Sequence, residues 1–191
     1  MALRAPTRPG VAARAVMRRK PHIHSFPPIA APDAKVLILG SMPGKASLLA
    51  NRYYAHPRNA FWPIMGVLHG AGPDAPYAQR VRVLKRAGIA VWDVLASCTR
   101  AGSLDSEIDE DSIVPNDFAS FFRAHPRIQR VYFNGAKAEA AFRRHVLPGI
   151  DATALRFARL PSTSPANASW SHARKLRAWR IVGAGSRGAC G

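Results

Sequence analysis

Short, unbroken apolar runs recur along this chain, and each ends at a residue that stops a strand. Lys35-Val36-Leu37-Ile38-Leu39 stops at Gly40, and a second run is Gly88-Ile89-Ala90-Val91-Trp92. Residues 128–133 close on Asn134-Gly135, and residues 155–160 close on Pro161. Such runs lack the alternation of a half-exposed strand and predict four strands buried on both faces. Helical spacing appears between them, near 59–69, 116–124 and 136–146. A last helix is predicted near 169–182, with Ala173, Leu176 and Trp179 on one side. The alternation predicts an α/β fold: a three-layer sandwich with a central four-stranded parallel sheet and helices on both faces. The ligand cleft is then expected at the carboxyl ends of the strands.

The flanks differ. Residues 1–33 carry six bases (Arg4, Arg8, Arg14, Arg18, Arg19 and Lys20) before the first acid, many prolines and no hydrophobic period. They predict a disordered basic arm, followed by a domain over 34–183 and a flexible tail over 184–191. An Arg-rich, acid-free start also fits a transit peptide, but it has no apolar core of a secretory signal. No apolar run approaches the roughly 18 residues of a membrane span, so membrane transport is excluded. The two cysteines, Cys98 and Cys190, are too few for a disulfide framework or a Cys-based zinc site, and they suit a reducing cytoplasm.

Charge then narrows the function. The 28 Lys and Arg against 11 Asp and Glu give a net charge of +17. Asp105, Glu107, Asp109, Glu110 and Asp111 sit together, so most of the remaining surface is positive. A nucleic-acid partner explains this through phosphate neutralisation, and the plain alternative is an Arg-rich codon bias.

The predicted strand exits hold the candidate chemistry. Gly40-Ser41-Met42-Pro43-Gly44 is a tight turn that lets backbone approach a ligand, and it lacks the Gly-Lys-Ser/Thr ending of a nucleotide-binding loop. The ten residues from Tyr53 to Trp62 hold four aromatics, with His56, Arg58 and Asn59. Core packing explains Phe61 and Trp62, whereas Tyr54, His56 and Asn59 suit contact with a nucleobase. The last exit, Pro161-Ser162-Thr163-Ser164-Pro165-Ala166-Asn167-Ala168-Ser169, precedes a basic helix and suits phosphate binding or an ordinary capped loop.

Together with Ser97-Cys98-Thr99-Arg100 and Phe133-Asn134-Gly135, these segments resemble the uracil-DNA glycosylase superfamily over about residues 35–182. The branch described as hypoxanthine-DNA glycosylases is the nearest match, and the mismatch-specific thymine/uracil enzymes are also similar. The resemblance implies a monofunctional glycosylase, without metal or cofactor, that flips out a deaminated base and hydrolyses its bond to deoxyribose. Hypoxanthine, uracil or both are the implied bases. Double- or single-stranded DNA is the implied partner of a monomeric, cytoplasmic, nucleoid-associated protein that initiates base excision repair.

The resemblance also assigns residues. Asn59 matches the catalytic position whose amide oxygen holds the attacking water. Other branches place an Asp or Asn for this purpose where this chain has Met42, a thioether that cannot do it. Tyr54 matches the aromatic that stacks on the flipped base, beside Gly40, Ser41, Met42, Pro43 and Asn134. Asp93 stands where uracil-specific relatives read the base, and it either accepts an N–H from the base or caps a turn. His56 is a catalytic helper or fixes its loop. Ser162, Thr163 and Ser164 are expected toward phosphate, Pro165 and Asn167 near the vacated stack, and Arg100 on phosphate. Leu160 replaces a frequent catalytic His. With Met42, it keeps two alternatives open: a mismatch-directed thymine/uracil glycosylase, or an inactive DNA-binding module.

Overall fold

The computed structural model describes residues 21–184. The chain runs β1 (His22–His24), β2 (Val36–Gly40), α1 (Lys45–Ala50), α2 (Phe61–His69), α3 (Tyr77–Arg86) and β3 (Ile89–Asp93). It continues through β4 (Leu95–Thr99), β5 (Val114–Pro115), α4 (Phe118–Ala124), β6 (Arg130–Asn134), α5 (Ala136–His145), β7 (Arg156–Leu160) and α6 (His172–Ala184). The four strands expected from the apolar runs form one parallel sheet in the order β3-β2-β6-β7. Every residue of β2 and β3 is buried, which is why neither strand alternates in sequence.

Right-handed crossovers put connections that run in opposite directions across a sheet on its opposite faces. From β2 to β3 the chain steps one way, and from β6 to β7 the other, so helices cover both faces. The packing bears this out. Phe118 and Phe142 of α4 and α5 meet in an edge-to-face contact at 5.2 Å, and Trp92 and Phe133 join them from the sheet. Phe61 of α2 packs edge-on against Trp179 of α6 at 6.0 Å. The strand order reverses around β2, which makes its carboxyl end the switch point where such sheets open a crevice.

Several expectations are corrected. Residues 21–33, assigned to a disordered arm, are ordered. β1 pairs antiparallel with β4, and Ile29 exchanges two backbone hydrogen bonds with Val91, at 2.9 and 2.8 Å. Prolines remove donors but keep acceptors: the carbonyls of Phe26 and Pro27 accept from the Tyr53 hydroxyl, and Trp92 Nε1 also donates to Phe26. Residues 1–20 and 185–191, which hold the rest of the arm, Cys190 and the tail, lie outside the described residues. A second, three-stranded sheet, β1-β4-β5, also exists. Finally, α6 begins at His172 rather than near 169.

Candidate active site

Gly40 ends β2 in register with Asp93 at the end of β3, and Asn134 ends β6 in register with Leu160. The missing side chain at Gly40 makes the space that its neighbours fill. A Cβ there would lie 2.3 Å from Asp93 Oδ1 and 3.3 Å from Tyr54 Oη. Gly40→Ala should therefore displace the Asp93 carboxyl, lower stability by about 1–3 kcal/mol and impair function, which thermal melting beside an activity assay would check.

Three polar atoms near this point are buried without a hydrogen-bond partner among the described residues: Tyr54 Oη, Asp93 Oδ2 and Arg100 Nη1. Orphaned buried groups are costly, so their grouping makes this a candidate site. Burial pushes the Asp93 carboxyl up to about 7, Asp105 pushes it the same way, and Arg100 opposes both. Burial and the charge of Asp93 also raise the Tyr54 hydroxyl, which therefore stays protonated, while the Asn134 carboxamide beside it acts the other way. Asp93 is not the cap that its position allowed. Its side chain makes no hydrogen bond to a helix or turn, and only its backbone carbonyl is engaged, by Asn116 Nδ2 at 2.8 Å.

The loop after β2 is fixed from below. Ser41 Oγ donates to Asp105 at 2.7 Å, and Met42 is buried. Arg100, expected on phosphate, is instead 1% exposed. Its guanidinium donates to the carbonyls of Pro43 and Gly102, so it holds the loop and stands as counter-charge to Asp93 and Asp105. A buried Arg needs such acceptors, which the chain brings together only on folding.

Tyr54 lies in the left-handed region at φ 54° and stacks on Phe61 with ring centroids 4.0 Å apart. One ring face is thus covered. Asn59 is half-buried, and its Oδ1 accepts from the Phe61 N–H at 3.0 Å, which fixes the carboxamide at the start of α2. A carbonyl oxygen has a second lone pair for another donor. His56 fixes its own loop, its Nδ1 accepting from the Arg58 N–H at 3.1 Å.

The last loop reaches this group from the other side. Thr163 is fully buried rather than turned to phosphate. Its Oγ1 accepts from Asn134 Nδ2 at 2.9 Å, and its N–H donates to Asn134 Oδ1 at 2.8 Å. Its carbonyl accepts from the Ala60 N–H at 3.0 Å. Asn134, Thr163 and the Asn59–Ala60 peptide are thereby locked together. Asn167 is also spent within the loop, donating to the Ser162 carbonyl and accepting from Ser169 Oγ. Ser162, Ser164 and Pro165 are half-buried, and Leu160 is buried. A cleft of about 280 Å³ between Phe26–Ile29 and α3 contains none of the predicted site residues.

A family model described as the uracil DNA glycosylase superfamily matches residues 27–182. A hypoxanthine DNA glycosylase of Methanosarcina acetivorans is 33% identical over 160 residues, 82% of this chain and 95% of that protein. One from Methanosarcina barkeri is 37% identical over 114 residues, 59% of this chain and 71% of its own. The solution NMR structure of a candidate uracil DNA glycosylase from Methanosarcina acetivorans aligns with a TM-score of 0.67 at 30% identity. That alignment covers 84% of this chain and 98% of that one.

Proposed function

The chain belongs to the uracil DNA glycosylase superfamily and is a DNA glycosylase, and from this premise we propose that it removes deaminated bases, hypoxanthine foremost and uracil beside it, after flipping them out of DNA. The observation that carries the choice of base is the pair of orphaned groups, Asp93 Oδ2 and Tyr54 Oη, at the switch point of the sheet. Hypoxanthine and uracil each present an N–H beside a C=O. A neutral carboxyl offers a donor and an acceptor to that edge, and the Tyr54 hydroxyl adds a donor. The bound base would then supply partners to both groups.

In this reading the base enters above Gly40, against Tyr54 and near the Asn134 carboxamide. Asn59 holds a water on the sugar side through the free lone pair of Oδ1. Cleavage of the N-glycosyl bond leaves positive charge on the sugar, which the surrounding DNA phosphates stabilise, while electrons pass to the base. The held water adds to the sugar carbon as that bond breaks, and its proton goes to the departing base. The Tyr54 hydroxyl and a neutral Asp93 donate to acceptor atoms of that base, a task that Leu160 cannot perform. The test is a labelled duplex with one inosine or one uracil, incubated with protein and then alkali. A nick at the lesion supports the reading, and binding without a nick favours the inactive module.

The six bases before Pro21 add a second expectation. Removing residues 1–20, while keeping β1, should weaken DNA binding and lower the slope of log affinity against log salt by up to about five, with base choice unchanged. An unchanged slope in a salt titration would show that these charges do not meet phosphate.

A further inference from the structure

The acidic segment from Asp105 to Asp111 and the third orphaned atom, Arg100 Nη1, meet at one place beside the candidate site. Ser41 follows Gly40, and its carbonyl accepts from the Leu95 N–H at 3.1 Å, as the Gly40 carbonyl does from Val94 at 2.9 Å. Ser41 Oγ donates to Asp105 Oδ1, so Asp105 meets this loop one residue beyond the glycine against which Asp93 lies. The turn that carries Asp105 is braced. Glu107 Oε2 accepts from the Leu104 N–H at 2.9 Å, in room that Gly102 leaves open, and Ser103 Oγ accepts from the Lys45 N–H at 3.0 Å. Arg100 closes the same turn by donating to the Gly102 carbonyl.

The cluster thus holds two carboxyls and one guanidinium. Arg100 favours the charged form of both Asp93 and Asp105, yet its hydrogen bonds go to neither, being spent on the Pro43 and Gly102 carbonyls. One positive charge cannot neutralise two carboxylates in a buried site, so one of them keeps its proton to higher pH. The hydrogen bonds decide which. Asp105 has the Ser41 hydroxyl, and Lys137 also favours its charged form, whereas no donor reaches Asp93 Oδ2. Tyr53 and Tyr54 also face Asp93, but burial keeps both protonated and they add no charge. Resting on the reading of Asp93 above, we propose that Asp105 is a positioning residue for base release. Paired with Ser41 and Arg100, it takes the ionised state of the cluster and leaves Asp93 the proton that faces the departing base.

The experiment follows the Asp93 carboxyl by carbon NMR of full-length protein labelled at its aspartate carboxyls, beside the pH profile of single-turnover inosine excision. In the parent the Asp93 signal, identified by its loss in Asp93→Asn, should titrate at about 7. Asp105→Asn keeps an acceptor for Ser41 but removes the neighbouring charge. Both the Asp93 midpoint and the falling limb of the rate should then move about one pH unit lower. Ser41→Ala should move both in the same direction by less, because Asp105 without its donor ionises less readily; it also serves if Asp105→Asn does not fold. A midpoint that stays put or rises in these variants would overturn the proposal, and so would one that moves while the rate limb does not. If the parent excises neither inosine nor uracil, the substrate reading fails, and the carboxyl titration still decides whether Asp105 sets the state of Asp93.

Discussion

Replacing Asn59 with alanine should lower the single-turnover rate of base removal by about 10²–10³-fold, the usual scale for losing one positioned hydrogen-bonding group in an active site. Affinity for undamaged duplex should change less than about twofold. The carboxamide is held in one orientation by the Phe61 N–H at the start of α2, and the remaining lone pair of Oδ1 is what a water would use. The same bond complicates the substitution, because losing one side-chain-to-backbone hydrogen bond costs about 1 kcal/mol. Asn59→Ser keeps an acceptor oxygen for the turn but is too short to hold the water, so it should be stable and inactive. Asn59→Asp keeps both roles and should retain part of the rate. Parental activity in Asn59→Ala and Asn59→Ser, measured beside their melting temperatures, would remove Asn59 from the mechanism.

The parallel sheet was legible because burial on both faces writes itself as continuous apolar runs, and a Gly, Asn-Gly or Pro marks each exit. What the sequence hid has specific causes. β4 follows β3 after the single residue Val94, with no turn residue to announce that the chain changes sheets. In α3, Tyr77, Val81 and Leu84 do follow helical spacing, but the helix's four bases, Arg80, Arg82, Lys85 and Arg86, make the segment read as surface. The six residues of α1 are too few for a period to show.

The candidate site divides the same way. Gly40, Asp93 and Asn134 end strands, where local order places them, and folding brings Tyr54 against Gly40. The resemblance points Arg100 and Thr163 toward phosphate, where such side chains are usually exposed. Their actual partners, the Pro43 carbonyl and the Asn134 carboxamide, lie 57 and 29 residues away. Side-chain direction at such positions is decided by long-range contacts that no local pattern carries.

Asp93→Ala should reduce excision about a hundredfold, as expected when two buried hydrogen bonds to the base are lost, and Asp93→Asn should change the pH profile. The carboxyl titrates near 7 in the folded protein against 3.8 for an ordinary Asp. Below about pH 7 it is neutral and both donates and accepts. Above that it only accepts, and its charge opposes electrons arriving on the departing base. The excision rate should therefore fall as pH rises through about 7, and Asp93→Asn, which keeps a donor and an acceptor but does not titrate, should lose that limb. Stability moves the opposite way in the variant. Because the folded state holds the proton more tightly, the contribution of Asp93 is full below about 3.8 and is lost as pH rises to about 7. Asp93→Asn should then be more stable than the parent, by up to about 4 kcal/mol at pH 8 and by less at pH 5. Parallel rate profiles for parent and Asp93→Asn would show that the proton on Asp93 takes no part in releasing the base. A variant that is more stable at pH 8 yet no longer sensitive to pH in its chemistry would show that this carboxyl is kept buried and uncompensated for the sake of the base it meets.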